Sequence, residues 1–115
     1  KKVDIEVMCS LTPDSIFVKV DPWTVQLSRN TPKVIWKLTN SSNATDIDIK
    51  AKTDTSPWPF ADRPPYSGQP KEKESKGAIV GTKDQLYAYT IVATCPAGGG
   101  GTRKVVIDPD MIIID

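Results

Sequence analysis

Apolar and polar side chains alternate along most of this chain. A period of two forces extended backbone with one face turned inward. Val3, Ile5, Val7 and Cys9 stand against Lys2, Asp4, Glu6 and Met8. Ile16, Val18 and Val20 alternate with Phe17 and Lys19, and Trp23, Val25 and Leu27 begin another run after Asp21-Pro22. Val34, Trp36 and Leu38 share a face against Lys37 and Thr39, which predicts the clearest core strand. Ile47, Ile49 and Ala51 face inward against Asp46, Asp48 and Lys50. Near the C-terminus Tyr87, Tyr89, Ile91, Ala93 and Cys95 lie on one side of a long strand. Val105 and Ile107 then lie opposite Lys104 and Val106, and Met111 to Ile114 reads as a short buried strand.

Turn chemistry separates the runs. Thr12-Pro13-Asp14-Ser15, Arg29-Asn30-Thr31-Pro32, Asn40 to Thr45, Gly98-Gly99-Gly100-Gly101 and Asp108-Pro109-Asp110 each carry residues that favour tight or irregular backbone. No amphipathic helix of more than two turns and no internal repeat is visible. This pattern predicts an all-β, antiparallel Greek-key sandwich of seven to eight strands, built as a single domain over residues 1–115.

The middle breaks the rule. From Thr53 to Gly77 there is little periodicity. Ser56-Pro57-Trp58-Pro59-Phe60 and Arg63-Pro64-Pro65-Tyr66 favour extended, polyproline-like backbone. Lys71 to Lys76 mixes charges and predicts a solvated hairpin or loop. A long irregular segment in a small domain is usually functional. Trp58, Phe60, Arg63 and Tyr66 are therefore candidates for an interaction surface. The simpler reading folds Trp58 and Phe60 back to cap one end of the sandwich and leaves Tyr66 partly exposed.

Composition excludes several function classes. The chain has no histidine, the usual general base near neutral pH and the commonest metal ligand. Fifteen basic residues against fourteen acidic ones leave a net charge of +1, with no clustered basic field for nucleic acid or anionic membrane. No apolar run approaches the length needed to span a bilayer, so no membrane insertion is expected. Asp46, Asp48, Asp108, Asp110 and Asp115 form no dense loop for calcium, and no two of them stand out as a glycosidase pair. Ser10 and Ser75-Lys76 lie in no recognisable frame for histidine-free nucleophilic chemistry. Gly98 to Gly101, with Arg103 and Lys104 close behind, could cradle an anion, but a strand follows where a helix N-terminus would be needed. Asn40-Ser41-Ser42 and Asn43-Ala44-Thr45 fit the glycosylation acceptor pattern, which polar loops also generate by chance.

Two cysteines complete the inventory. By alternation both Cys9 and Cys95 point inward. They read as one disulfide, which places the chain outside the reducing cytosol, or as two small buried hydrophobes. With no Cα separation to draw on, the sequence tips toward two thiols or an unpaired state.

Val34-x-Trp36-x-Leu38, the long irregular middle, Tyr87-x-Tyr89-x-Ile91, the glycine turn and the closing Asp108-Pro109-Asp110-Met111-Ile112-Ile113 together resemble the cupredoxin-like domains. The resemblance spans residues 16–115 and implies fold alone. A blue-copper site uses two histidines, a cysteine and an axial methionine. Here the position of the family cysteine falls on Ile91, Cys95 lies further along, and neither Met8 nor Met111 lies in the ligand loop. Copper and other cofactors are therefore not implied.

A second stretch, Leu38-Thr39-Asn40-Ser41 followed by Ile47 to Thr53, is similar to the major sperm protein and related immunoglobulin-like domains. That resemblance implies recognition of short peptide motifs by a basic pocket holding Lys37, Lys50 and Lys52.

The sequence thus predicts a non-catalytic, metal-free binding or structural module. It is expected in a periplasmic or secreted setting, as a monomer or weak oligomer whose partner is another protein. Its expected interaction surface joins the 56–66 segment to the glycine turn at one end of the sandwich.

Overall fold

The computed structural model describes residues 1–10 and 16–115. The turn expected at Thr12 to Ser15 lies outside them. Among the described residues ten strands follow one another: β1 (Lys2–Met8), β2 (Phe17–Asp21), β3 (Thr24–Leu27), β4 (Ile35–Leu38), β5 (Asp46–Ala51), β6 (Gly68–Gln69), β7 (Glu72–Glu74), β8 (Leu86–Pro96), β9 (Thr102–Ile107) and β10 (Asp110–Ile113). One sheet runs β2-β1-β4-β7-β6. The other runs β3-β10-β8-β5, with β9 also paired to β8. The protein is an all-β sandwich of these two sheets.

Alternation explains the core. β1 buries Val3, Ile5 and Val7, β4 buries Trp36 and Leu38, and β5 buries Ile47 and Ile49. β8 contributes Tyr87, Tyr89, Ile91, Ala93 and Cys95 from one face. Two details of the alternation differ. β10 buries Met111 and Ile113 but leaves Ile112 half-buried and Ile114 exposed, because β10 has one solvated face. Trp23 is 48% exposed rather than in line with Val25 and Leu27. It lies where the chain leaves the first sheet, after β2, and enters the second at β3. Alternation does not carry through a change of sheet.

Strand direction also departs from a purely antiparallel sandwich. β1 pairs with β4 in parallel, and β3 pairs with β10 in parallel. Alternating residues fix which face is buried but not which neighbour pairs, so the sequence carried no sign of this. Among the described residues the strand count exceeds the expected seven to eight because Gly68 to Glu74, within the irregular middle, makes the short β6–β7 hairpin.

Cys9 and Cys95 form a disulfide with Cα atoms 5.7 Å apart. This overturns the leaning toward free thiols. Cys9 follows β1 of one sheet and Cys95 lies near the end of β8 of the other, so the bond ties the two sheets together. Asn43 holds the entry strand in place. Its Oδ1 accepts from the Cys9 N–H, and its Nδ2 donates to the Cys9 carbonyl.

Candidate functional site

The irregular middle is packed as part of the fold. Trp58, Phe60 and Tyr66 are all buried. Trp58 Nε1 donates to the Tyr66 hydroxyl at 2.9 Å, and that hydroxyl donates to the Asp62 carbonyl at 2.8 Å. The Tyr66 ring stacks on Trp36, with centroids 6.1 Å apart and planes 17° from parallel. Burial pushes the pKa of Tyr66 above its ordinary value. The capping role expected for Trp58 and Phe60 agrees with their burial. The partial exposure expected for Tyr66 does not, because Tyr66 closes over Trp36.

Arg63 is exposed but committed. Its guanidinium donates to the carbonyls of Ser56, Thr53 and Asp54, bracing the turn that opens the arm. A cleft of about 430 Å³ lies beside it, lined by Asp48, Lys50, Asp54, Arg63, Pro64 and Pro65 among others. Both charge signs share this cleft and no aromatic ring lines it.

The glycine turn stands apart from the arm. Gly98 to Gly100 makes one 3-10 turn, and all four glycines from Gly98 to Gly101 are exposed. Ala51, where the arm departs, pairs with Tyr89, whereas the turn begins beyond Pro96. Extended chain advances about 3.3 Å per residue, so roughly 23 Å of β8 separates Tyr89 from Pro96. Trp58, Phe60 and Tyr66 are buried while Gly98, Gly99, Gly100 and Gly101 are exposed, so of the expected surface of Trp58, Phe60, Arg63, Tyr66 and the four glycines only Arg63 and the glycines are exposed.

The basic pocket expected from the immunoglobulin-like resemblance is not formed either. Lys37 belongs to β4 of one sheet and faces Glu72 at 4.0 Å. Lys50 belongs to β5 of the other sheet, and Lys52 pairs with Asp108 at 2.9 Å. Ser75, weighed for nucleophilic chemistry, is buried with its Oγ accepting from the Val34 N–H.

A site that sequence reasoning missed lies along the open side of the sandwich, between β2 and β9. A cleft of about 440 Å³ is lined there by Val18, Trp23, Val105, Val106, Ile107 and Asp108. Val106 is 62% exposed, and Phe17 on β2 is 50% exposed. Asp108 marks the end of the cleft. The hydrogen bond from Lys52, aided by Thr90, holds its carboxyl below the usual carboxylate range.

The backbone beside this cleft is the informative part. β9 and β10 pair with β8 in one unbroken register, Pro96 with Thr102 at one end and Leu86 with Ile112 at the other. Ala97 N–H donates to the Gly101 carbonyl, and Tyr89 N–H to the Pro109 carbonyl. Antiparallel partners exchange bonds at every second residue. Arg103, Val105 and Ile107 therefore turn their backbone groups toward β8, and the even-numbered residues turn theirs away. On β10 those outward groups are used: Asp110 N–H donates to Trp23 and Ile114 N–H to Leu27. On β9 the corresponding groups of Thr102, Lys104 and Val106 make no backbone bond to any described residue. The slot exists because the chain before Trp23 has moved to the other sheet. In the sequence Trp23 reads in phase with Val25 and Leu27, so no local signal marked the slot; only its 48% exposure in the structure does.

Comparison with family models, with curated proteins and with solved structures returns no match. Among the described residues no group of three or more His, Cys, Asp or Glu stands together, and no helix is long and apolar enough to cross a membrane.

Proposed function

We propose that this domain is a non-catalytic binding module on a cupredoxin-like sandwich, working outside the reducing cytosol and docking another polypeptide on its open side. The observation that carries this reading is the β9 edge, which pairs with no strand among the described residues, beside the apolar cleft of Val18, Trp23 and Val106. Exposed strand edges next to apolar surface are templates for added chain, and proteins that do not use them usually blunt them. The Cys9–Cys95 bond supports an oxidising setting. The absence of any imidazole from the sequence, and of any clustered donor set among the described residues, supports a role without metal chemistry.

Panning displayed random heptapeptides against the immobilised domain tests the reading. Enriched peptides are expected to shift the emission of Trp23, the exposed member of the three tryptophans, and to lose about tenfold or more in affinity on Val106→Lys. Enriched peptides that bind Val106→Lys as well as the parent chain would place binding elsewhere.

A further inference from the structure

We infer that the loop from Thr39 to Thr45 holds Cys9 opposite Cys95 by bonds that do not depend on sulfur, so that the pair is a reversible dithiol–disulfide couple opened and closed by small thiols, with Asn43 as its positioning residue. This inference stands apart from the docking edge. β4 pairs with β1 only as far as Leu38 opposite Ile5. The loop then serves as a substitute strand along the rest of β1. Thr39 N–H donates to the Ile5 carbonyl at 2.8 Å, and Asn43 N–H to the Val7 carbonyl at 3.2 Å. The Ser42 hydroxyl accepts from Val7 N–H at 3.0 Å and donates to the Ile5 carbonyl at 3.2 Å. Past the end of β1, the Asn43 side chain accepts from Cys9 N–H and donates to the Cys9 carbonyl at 2.9 Å. A side-chain amide carries both an acceptor and donors, so it reproduces the two-bond exchange of a neighbouring strand. Thr45 N–H donates to the Thr94 carbonyl at 2.9 Å, which fastens the same loop beside Cys95. One loop thereby grips both halves of the disulfide. The Asn43-Ala44-Thr45 pattern thus has a structural use, with its asparagine amide engaged by backbone.

Access sets the chemistry. Cys95 is fully buried, whereas Cys9 is partly exposed. A glutathione thiolate therefore meets the Cys9 sulfur. Its attack forms a mixed disulfide on Cys9 and breaks the Cys9–Cys95 bond, whose electron pair leaves with Cys95 as a thiolate that takes up a proton. A second glutathione thiolate attacks the glutathione sulfur of the mixed disulfide, forms glutathione disulfide and leaves Cys9 as the second thiol. Two electrons and two protons pass to the protein, and glutathione is the reductant. In the reverse direction the Cys95 thiolate attacks the mixed disulfide on Cys9 and expels glutathione. Reduction removes none of the loop's bonds and none of the apolar core between the sheets, so the domain stays folded with its thiols in place. Closure is then intramolecular, between groups already held near their bonded positions.

Glutathione redox buffers applied to the whole domain test this, read by acid quench, alkylation and mass. The parent, fully reduced with dithiothreitol, is expected to keep its circular dichroism and a cooperative melt, and to regain the disulfide in glutathione disulfide. During brief exposure to glutathione the mixed disulfide is expected to map to Cys9. Asn43→Ala is expected to lower the equilibrium constant for closing the disulfide against glutathione about tenfold, as loss of two hydrogen bonds that preorganise one cysteine would give. Asn43→Asp keeps the acceptor for Cys9 N–H and loses the donor, so its constant is expected to fall between those of the parent and Asn43→Ala. A constant unchanged in Asn43→Ala, whatever its thermal midpoint, overturns the positioning role. Should Asn43→Ala not fold, an unchanged constant in Asn43→Asp overturns it equally. A reduced parent that loses its cooperative melt, a mixed disulfide that maps to Cys95, or a bond that no glutathione ratio opens overturns the reversible couple.

Discussion

Trp36 donates its indole N–H to the hydroxyl of Tyr89 at 3.0 Å, joining β4 of one sheet to β8 of the other in the middle of the core. Both rings are fully buried, and their centroids lie 5.8 Å apart. The bond satisfies two polar groups that have no water to turn to. Tyr89→Phe is expected to leave the indole donor orphaned and to cost about 1–3 kcal/mol, read from urea midpoints. An unchanged midpoint would show that the bond contributes nothing.

The same burial gives the fold an alkaline limit. Burial pushes the pKa of Tyr89 far above its ordinary value, and that of Tyr66 upward as well. A group whose folded pKa is raised contributes fully below its unfolded pKa, about 10 for tyrosine, and that contribution is lost as pH rises through the folded value. Stability is therefore expected to hold to about pH 10 and to fall above it. Tyr66→Phe should flatten part of that decline in circular-dichroism melts taken across the alkaline range.

The arm is expected to behave as core at one end and as a brace at the other. Trp58→Ala removes a buried indole beside Phe60 and Tyr66, and a loss of about 3–5 kcal/mol is expected. Arg63→Ala removes bonds from an exposed side chain to three carbonyls of the 53–56 turn. It should move the denaturation midpoint by less than about 1 kcal/mol and speed limited proteolysis within the turn. Equal destabilisation by the two changes would contradict this division.

Glycines separate in the same way. A Cβ added at Gly81 would fall 2.7 Å from Ile113 Cδ1 and against the Tyr87 hydroxyl. Gly81→Ala is expected to cost about 1–3 kcal/mol through overpacking. Gly98 has open space around it and no left-handed backbone, so Gly98→Ala should change stability by less than about 0.5 kcal/mol. Thermal midpoints of the two variants check the pair together.

Much of the sandwich was legible because a half-buried strand must alternate. Trp36, Tyr89 and Ile91 could be placed in the core by counting residues. The counting failed where geometry other than a single strand takes over. Trp23 follows a crossing between sheets, so its side chain answers to the second sheet's edge rather than to the run before it. Tyr66 lies in a proline-rich stretch with no period, and only the position of Trp36 across the fold shows that it is buried. The parallel neighbours of β1 and β3 depend on contacts between distant segments, which no local pattern records. The β9 slot was hidden for a related reason, since an unused donor is visible only once the partner of every neighbouring donor is known.

Removing the disulfide is the remaining prediction. By the chain-entropy account a link across a sequence separation of 86 contributes about 4 to 5 kcal/mol, less any strain. A Cys9→Ala, Cys95→Ala double variant should show most of that loss in urea titrations, and the untreated parent chain should weigh two hydrogens less than the reduced one. A parent chain whose mass does not change on reduction would contradict the bond.

That bond also changes what a protease can accomplish. With Cys9 joined to Cys95, residues 9–95 form a closed ring. One backbone scission inside the ring yields two fragments that remain covalently joined. Such a domain can be cut in the irregular arm and keep its β9 edge on display, so the proposed docking surface would outlast the integrity of the chain that builds it.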